Sequence, residues 1–531
     1  MRARAAAARA LCLVALGPPA GLAACARAPE PRPRPAAPPR ASASATLRFL
    51  FTSDEHGWIA PAESEGRARG GAAALLGRWL RDEGHCVPSA SGGCEAAATL
   101  ALSGGDNWTG PAVSSFFEGA PATEAMRRLG YAASALGNHE FDFGREALEK
   151  NAARQGFPFV AANVRPREGR PELARPFVVV ERRGVRVGVV GLTLESAPRQ
   201  GLRSNYEGYD FEPEGPALER AVPAAYAAGA DVVVVVAHQC GGALAPIVER
   251  HPAWGLGFVG AGHCHEKGLR WAGAVPVVEA GAYLGAYARV ELVVAKAPGA
   301  RAEVTGRDVK FVDLTYPPGA SPPAPPDAAL AAEVASWQAK VDAALGEVVG
   351  HAGEPLPAES PALVNLVADA WREAASADVA VLGRFTTRQG FNPGPISHAA
   401  VFSTLPFVNR LVTVHITGAE LLDNLACCGG HVAGLERGEG GRVTLAGGAP
   451  LEPGRRYRVV TSDYAYAGGS DYLFGRQDPS PRFGESIREP VLRWLRARPT
   501  SPSRGLERLV DRRDRLGTSG APLPRPGGAG P

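Results

Sequence analysis

The stretch FTSDEHGWIAP, residues 51–61, stands at the end of an apolar run that begins at Leu47. Such a run is typical of a buried strand, yet this one ends on charged and polar side chains and turns at Gly57. Asp54 and His56, two residues apart, are side chains that bind divalent metals. The stretch therefore predicts a strand whose carboxyl end carries part of a metal site.

The segment from 46 to about 315 alternates apolar runs with amphipathic stretches. Several runs are nearly continuous in Val, Leu and Ala, as expected of strands buried on both faces, and the stretches between them are long enough for helices. The seven runs are TLRFLFTSD, ATLALSGGD, YAASALGNHE, FPFVAANV, VRVGVVGLT, DVVVVVAHQ and FVGAGHCHE. The pattern predicts a layered α/β domain.

Length and composition divide the rest of the chain. With 531 residues the chain is too long for one ordinary core, so we expect two domains. A Pro-rich stretch followed by helical sequence predicts a linker and connecting helix over 316–349. A second, smaller domain is predicted over 350–500, where Ser360 begins a helix. Residues 501–531, rich in Pro, Gly and Arg, are predicted to be a disordered tail.

The first 25 residues resemble an export signal. A basic start precedes an apolar stretch that is too short and too weak for a membrane helix. LAAC at 22–25 resembles a bacterial lipoprotein cleavage site, in which Cys25 would carry the lipid; the alternative is an ordinary cleaved signal with an incidental cysteine. Residues 26–45 are predicted to be a Pro-rich tether. We expect an exported protein, periplasmic or at the cell surface, with a lipid at Cys25 as its only membrane contact.

The net charge limits the kinds of partner the chain can bind, and the cysteines indicate which disulfides it forms. With 57 basic and 54 acidic residues the formal charge is only +3, which implies no nucleic acid polymer as partner. Cys86 and Cys94 bracket a short polar loop and predict a local disulfide. Cys240 and Cys264 suit either core packing or a mutual disulfide. The pairing of the adjacent cysteines at 427–428 cannot be deduced from the sequence.

Five of the predicted strands end in side chains of metal-ligand type. Each alone has a structural explanation, since a single His is often hydrogen-bonded in a core and an Asp near Gly forms turns. Ligands bind at the carboxyl ends of strands in open α/β sheets, so we expect these groups to converge. They are Asp54 and His56, Asp106, Asn138 and His139, His238, and His263 and His265.

These motifs resemble the calcineurin-like metallophosphoesterases, and specifically their bacterial, exported, two-domain 5'-nucleotidase family. DEH at 54–56 resembles the family's D-x-H, and GGDNWTG at 104–110 resembles its G-D-x-x-T/S-G. GNHEFD at 137–142 is the most specific match, and His238 with GHCH at 262–265 match the last two metal motifs. The resemblance implies a metallophosphoesterase domain over 46–315.

The resemblance extends to the second domain. ISHAAVFSTLPFVN at 396–409 and AYAGGSDY at 465–472 resemble the nucleotidase C-terminal domain. A smaller α+β domain that binds substrate is therefore implied over 350–500.

The resemblance also implies a ligand set and a catalytic pair. Two divalent ions, Zn, Mn, Co or Fe, would be held by carboxylate, amide and imidazole groups. His139 would be the catalytic imidazole and Asp142 its orienting carboxylate, although Asp142 also suits the cap of a helix starting near Gly144. Asp106 would bridge the ions, with Asp54, His56 and His265 on one and Asn138, His238 and His263 on the other.

The implied substrate contacts are less complete. Arg388 stands where the family has a substrate arginine, with Arg384 as a second candidate, and Tyr464 stands where the family stacks an aromatic ring on the nucleobase. A surface arginine and a core tyrosine are the alternatives. The family's G-G-D is interrupted here, so the acidic contact at Asp471 is displaced or absent, and the stretch 426–435 lacks the second stacking aromatic.

The sequence thus predicts an exported metal-dependent phosphoric ester hydrolase that cleaves nucleoside 5'-phosphates or related small phosphate esters with metal-activated water. One alternative is a 2',3'-cyclic nucleotide phosphodiesterase with 3'-nucleotidase activity, or another esterase of the superfamily. The other is a non-catalytic surface binding protein whose metal cluster is structural.

Overall fold

The computed structural model describes residues 43–64, 66–88, 93–296, 302–438 and 441–523. The export signal, Cys25 and most of the predicted tether lie outside the described residues. Within these ranges every helix is too short or too polar to cross a bilayer.

The first part of the chain forms short strands and helices in alternation. Its strands are β1 (Ala43–Thr52), β2 (Ala62–Ser64), β3 (Arg67–Arg69), β4 (Thr99–Ser103), β5 (Tyr131–Ala135), β6 (Phe159–Val160), β7 (Val164–Pro166), β8 (Phe177–Arg182), β9 (Val185–Thr193), β10 (Tyr209–Phe211), β11 (Val232–His238), β12 (Leu256–Ala261), β13 (Lys267–Ala272), β14 (Val275–Ala280), β15 (Ala286–Lys296), β16 (Glu303–Asp313) and β17 (Thr315–Tyr316). Its helices are α1 (Gly71–Arg78), α2 (Ala112–Ser115), α3 (Ala120–Leu129), α4 (Gly144–Arg154), α5 (Glu214–Ala227) and α6 (Gly241–Glu249).

Two six-stranded sheets form the centre of this part. The first has the order β16-β15-β1-β4-β5-β6, and the second has the order β13-β14-β12-β11-β9-β8. Strands β1, β4, β5 and β6 run parallel, as do β9, β11, β12 and β14. Strands that run parallel bring their carboxyl ends to one edge of the sheet.

The five valines of β11 show why the apolar runs are continuous. Val232, Val234 and Val236 face the core between the two sheets. Val233 and Val235 face the opposite side and pack in the core beneath α5. Successive side chains of a strand alternate between its faces, so a strand covered on both faces needs apolar residues at every position.

Helices cover the outer face of each sheet. Helices α1 and α3 and the connecting helix α7 (Ala328–Leu345) pack on the first sheet, and α5 and α6 pack on the second. Asp327 caps α7 by accepting a hydrogen bond from the Leu330 backbone N–H at 2.8 Å. The resulting α/β/β/α layers confirm the predicted fold class.

The second part of the chain is a smaller α+β unit. Its strands are β18 (Val348–Ala352), β19 (Val379–Leu382), β20 (Gly394–Ser397), β21 (Arg410–Thr417), β22 (His431–Ala433), β23 (Leu435–Arg437), β24 (Val443–Leu445), β25 (Arg456–Ser462) and β26 (Arg482–Ser486). Its helices are α8 (Pro361–Ala375), α9 (His398–Thr404), α10 (Gly418–Cys428), α11 (Asp463–Tyr466), α12 (Phe474–Gln477) and α13 (Glu489–Ala497). The main sheet has the order β22-β19-β25-β21-β26, with α8 and α13 on one face and α10 on the other.

The segment after residue 500 differs from the predicted disordered tail, because it is ordered as far as residue 523. Leu506 and Leu516 are buried. Arg515 donates two hydrogen bonds to the Asp369 carboxylate, at 2.9 and 2.7 Å. Amino-acid composition does not predict this ordered segment, because it is held in place by two buried apolar side chains and one bidentate ion pair.

Three disulfides are formed among the described residues. The bond between Cys86 and Cys94 confirms the predicted local disulfide. The other two bonds give the pairings that the sequence left open. The pairs are Cys86–Cys94, Cys240–Cys264 and Cys427–Cys428.

We expect Gly260→Ala in β12 to destabilise the core between the sheets. A Cβ atom at Gly260 would lie 2.4 Å from the Phe51 ring, and overpacking of this kind costs about 1–3 kcal/mol. Urea unfolding should show that loss, and Phe51→Leu in the same chain should restore part of it. Gly268→Ala in β13 is the control, because its Cβ would meet nothing within 4 Å. Equal losses in the two alanine variants would contradict this account.

Candidate metal centre

The seven side chains predicted as metal ligands lie at the carboxyl ends of the parallel strands of both sheets. β1, β4 and β5 of the first sheet and β11 and β12 of the second sheet each lead into one or two of them. Five are buried, and the two histidines that follow β12 are half-buried. The structure thus brings together groups that are separated by more than two hundred positions in the chain, namely Asp54, His56, Asp106, Asn138, His238, His263 and His265.

One group of ligand atoms comes from Asp54, His56 and His265, all within 4.8 Å of one another. The Nε2 atoms of His56 and His265 are 3.0 Å apart. The Asp54 Oδ1 atom lies 3.5 Å from His265 Nε2. This spacing suits three ligands of one cation.

A second group surrounds His238. Its Nε2 atom lies 3.0 Å from Asp106 Oδ2, 3.1 Å from Asn138 Oδ1 and 3.3 Å from His263 Nδ1. Asp106 Oδ2 is also 3.9 Å from His56 Nε2 in the first group. Asp106 therefore lies between the two groups.

Backbone carbonyls orient the two most buried imidazoles. His56 Nδ1 lies 2.8 Å from the Thr109 carbonyl oxygen, and His238 Nδ1 lies 2.9 Å from that of Gly104. A proton on each Nδ1 donates to the carbonyl and leaves the Nε2 lone pair facing the cluster. The Nε2 atoms of His56 and His265 are 3.0 Å apart, with carboxylates beside them, and their lone pairs repel one another unless a positive charge lies between them. The residues present therefore fit divalent metal ions.

The pKa values point the same way. Burial raises the pKa of Asp54 to about 7 and lowers the pKa of His263 to about 4 and of His265 to about 3. Although burial opposes it, the Asp106 carboxylate raises the pKa of His238 to about 9. Burial thus keeps two of the imidazoles in the neutral form that binds metals, and the pocket favours a positive charge beside Asp106.

Five of the seven residues have left-handed backbone conformations. Their φ angles lie between 45° and 73°, a region that residues other than glycine rarely adopt. Such conformations persist where the surrounding structure enforces them, and they are concentrated at functional sites. The five are Asp54, His56, Asp106, His263 and His265.

Two buried carboxylates beside the ligands were quoted within the sequence motifs but given no role there. Glu140 accepts hydrogen bonds from the backbone N–H groups of Asp106, Asn107 and Gly137, at 3.0, 2.7 and 2.7 Å. Glu55 accepts hydrogen bonds from the hydroxyls of Thr52 and Ser103. They hold the ligand-bearing turns, and the sequence signal was a charged residue in the turn that follows a buried strand.

His139 and Asp142 form a hydrogen-bonded pair beside the cluster. His139 Nδ1 lies 2.7 Å from Asp142 Oδ2, and the His139 backbone N–H donates to Asp106 Oδ1 at 2.8 Å. Although burial opposes it, the Asp142 carboxylate raises the pKa of His139. Phe143, not Asp142, holds the N-cap position of α4.

The second part of the chain reaches the cluster through Arg388. Its Nη2 atom lies 3.5 Å from the Nε2 atoms of both His56 and His139. The Tyr464 hydroxyl donates to the Arg199 carbonyl of the first part at 3.3 Å. Arg388 and Tyr464 are therefore at the junction of the two parts.

The other two predicted substrate residues are exposed. Arg384 places its guanidinium over the Phe385 ring, 4.9 Å from the centroid. Asp471 lies in the loop after α11, with φ of 65°. The structure does not bring either residue into the ligand cluster, so their roles stay predictions.

The disulfide between Cys240 and Cys264 lies next to the ligands. Cys240 lies in the turn just after His238, and Cys264 lies between His263 and His265. The bond therefore ties together the turns that follow β11 and β12.

Known proteins are similar to this chain in architecture and, at a lower level, in sequence. The family model described as the 5'-nucleotidase C-terminal domain matches residues 348–475. The 5'-nucleotidase of Vibrio cholerae serotype O1 is 26% identical over 500 residues, 81% of this chain and 86% of that protein. Protein UshA of Yersinia enterocolitica is 24% identical over 499 residues, 80% of this chain and 86% of that protein.

A solved structure agrees in fold. The crystal structure of a 5'-nucleotidase precursor from Thermus thermophilus has a TM-score of 0.74 and 24% identity, over 86% of this chain and 97% of that one. These findings confirm the resemblance to 5'-nucleotidases predicted from the motifs, and the similarity extends over most of the chain.

Proposed function

We propose that this chain is an exported phosphohydrolase that holds two divalent cations and cleaves nucleoside 5'-phosphates or related phosphate esters. The observation that carries the proposal is the position of Asp106, 3.0 Å from His238 and 3.9 Å from His56. A carboxylate between two groups of ligands offsets the repulsion between two cations. Paired cations are a common means of hydrolysing phosphate esters.

The ligand atoms support two cation sites of similar chemistry. When bound, the cations supply positive charge for the phosphoryl oxygens and lower the pKa of the attacking water. Mixed oxygen and nitrogen ligands suit Zn, Mn, Co and Fe. Asp54, His56 and His265 would hold one cation, Asn138, His238 and His263 the other, and Asp106 both.

The chain's own groups complete the chemistry. Asp142 fixes the tautomer of His139 and favours the imidazolium, which stabilises negative charge on the transferring phosphoryl group or protonates the leaving oxygen. Arg388 adds a fixed positive charge on the same side, since its Nη2 atom lies 3.5 Å from His139 Nε2. A guanidinium binds phosphate oxygens through two parallel hydrogen bonds. These residues therefore hold and orient the phosphoryl group.

The alcohol part of the ester would lie toward the second part of the chain. Tyr464 offers a ring on which any nucleobase can stack, because every base has a π face. Arg384 and Asp471 are exposed and would meet polar groups at the rim. Selectivity would thus reside at the junction of the two parts.

Export has two supports. Three disulfides among the described residues suit an oxidising compartment, and the first 25 residues read as an export signal. A lipid on Cys25 would anchor the protein to a membrane.

The leading alternative changes only the substrate, to 2',3'-cyclic nucleotides or another ester of the superfamily. The lack of an aromatic residue over 426–435 favours it. Initial rates on AMP, UDP-glucose, 2',3'-cyclic AMP and an aryl phosphate distinguish these activities.

The direct test of the proposed function is phosphate release from AMP by the purified protein. We expect turnover that a chelator abolishes and that Zn, Mn, Co or Fe restores when added back singly. Turnover that survives exhaustive chelation, or no phosphate release from either AMP or the aryl phosphate with any of these ions, would refute the proposal.

We expect Asp106→Asn to lose cations without unfolding. Metal analysis of dialysed wild-type protein should find two ions per chain, and the variant should retain one or none. Ions at about 100 times their Kd add about 2.7 kcal/mol to the free energy of unfolding, and this gain should shrink in the variant. His251→Gln is the control, since His251 stacks on Trp254 away from the cluster. Equal ion content in wild type and Asp106→Asn would count against a shared carboxylate.

We expect His139→Ala to keep its ions and lose turnover. Loss of a general acid or of charge stabilisation lowers kcat by about 100-fold or more. Phosphate release and metal content should be measured on the same sample. A variant that binds both ions and turns over normally would overturn the catalytic role of His139, as would a loss of activity that only follows a loss of ions.

A further inference from the structure

The Arg388 loop, residues 383–391, carries a charged side chain across to the ligand cluster. The Arg388 Nη2 atom lies 3.5 Å from the Nε2 atoms of His56 and His139, and its guanidinium lies 5.7 Å from the Phe407 ring centroid. Within the part of the chain that the structure describes, no carboxylate forms an ion pair with this guanidinium. The position of its charge therefore depends on the backbone of the loop.

The loop is attached at two places to the segment before α8. Phe391 and Leu356 exchange two backbone hydrogen bonds, each of 2.9 Å. The Glu359 carboxylate makes the other attachment, because Oε1 accepts a hydrogen bond from the Thr387 hydroxyl at 2.7 Å and Oε2 accepts one from the Phe385 N–H at 3.4 Å. One carboxylate thus holds two of the three residues that precede the arginine.

Thr387 is the attachment nearest to Arg388. Its side chain is buried, and its hydroxyl also lies 2.7 Å from the Ala358 carbonyl oxygen. The single hydroxyl proton therefore has two acceptors, of which the charged carboxylate is the stronger. The Arg388 N–H donates to the Thr404 carbonyl at 2.8 Å. The backbone that enters Arg388 is thus fixed from both sides.

Phe385 needs the second oxygen of the carboxylate. Its φ angle is 61°, in a region that residues other than glycine rarely adopt. Its ring is 56% exposed, so burial of the ring does not enforce this conformation. Conformations of this kind persist only where the surroundings hold them. The hydrogen bond from the Phe385 N–H to Glu359 is one contact that does so.

Glu359 is itself held in its charged form. His431 Nε2 lies 3.3 Å from Glu359 Oε2. Although burial opposes it, the hydrogen bonds from His431 and Thr387 lower the pKa of Glu359. The side chain is also 36% exposed, so these hydrogen bonds compete with water. We therefore expect a moderate effect when the carboxylate is removed.

We propose that Glu359 is a positioning residue, whose carboxylate holds the Arg388 loop so that the guanidinium reaches the phosphoryl group of the substrate. It acts through Thr387 and Phe385, without contact with the substrate. This inference rests on the proposed function, because that function assigns the phosphoryl group to Arg388.

The kinetic test measures kcat/KM of Glu359→Ala on AMP and on an aryl phosphate. A hydrogen bond to a charged group contributes a factor of about 10. The phosphoryl group is common to both substrates, so we expect kcat/KM to fall by about 5- to 10-fold on each. Glu359→Gln keeps an oxygen for Thr387 and should recover most of the loss. Glu373→Ala is the control, since it removes a carboxylate of α8 that pairs with Arg498 at the surface.

A double-mutant cycle shows whether Glu359 acts through the arginine. In the Arg388→Ala background, Glu359→Ala should cause little further loss, because the loop then has no guanidinium to place. Thr387→Val keeps the shape of the side chain, removes the hydroxyl and should reproduce part of the Glu359→Ala loss.

Hydrogen exchange observes the loop without turnover. In the metal-loaded chain without substrate, the amides of the Arg388 loop should exchange faster in Glu359→Ala than in wild type and Glu373→Ala. The ion content should be unchanged, since Glu359 is not among the ligands. If exchange rises throughout the chain, Glu359→Ala has unfolded, and Glu359→Gln and Thr387→Val then decide the question.

Each outcome bears on one proposal. An unchanged kcat/KM in Glu359→Ala, a loss confined to AMP, or losses that add to those of Arg388→Ala overturn the role of Glu359 and leave the phosphohydrolase intact. A wild-type protein that releases phosphate from neither substrate overturns the proposed function, and this inference with it.

Discussion

The buried lone pairs of the ligand cluster are the constraint on which the rest of the structure depends. Carboxylate, amide and imidazole groups, most of them buried, face one another at about hydrogen-bond distance. Such an arrangement is costly unless positive charge neutralises it. The left-handed turns, the backbone carbonyls on His56 and His238 and the buried Glu140 all serve to hold these groups together. Cation binding and the local fold are therefore coupled in this chain.

The fold brings the ligands together with the parallel strands of two mixed sheets rather than of one. Strands from both sheets end at the same edge, so ligands from distant parts of the chain meet without any long loop between them. The second part of the chain then adds what the sheets cannot supply. Arg388 brings a fixed positive charge, and Tyr464 brings an aromatic ring to the junction. The proposed metal centre and the proposed substrate-selecting surface would thus come from different parts of the chain.

Much of the first part could be predicted because its signals are local. Continuous valine runs such as 232–236 identify strands covered on both faces, and polar residues at strand ends identify the site. The roles of Glu55 and Glu140 could not be predicted from the sequence. Their partners are backbone N–H groups and hydroxyls that the fold brings together, and no spacing rule identifies them. The order of residues 501–523 could not be predicted for a related reason, since Arg515 gains its partner Asp369 only through the tertiary fold.

The bond between Cys240 and Cys264 has a consequence for how the chain matures. It closes a stretch of 24 residues and persists when the chain unfolds, so it shrinks the ensemble from which folding starts. Once oxidation has occurred, His238 and His263 stay neighbours even in a partly folded chain. An oxidised chain would thus present two neighbouring imidazoles before its sheets have closed, and capture of an ion by that pair would guide their closure.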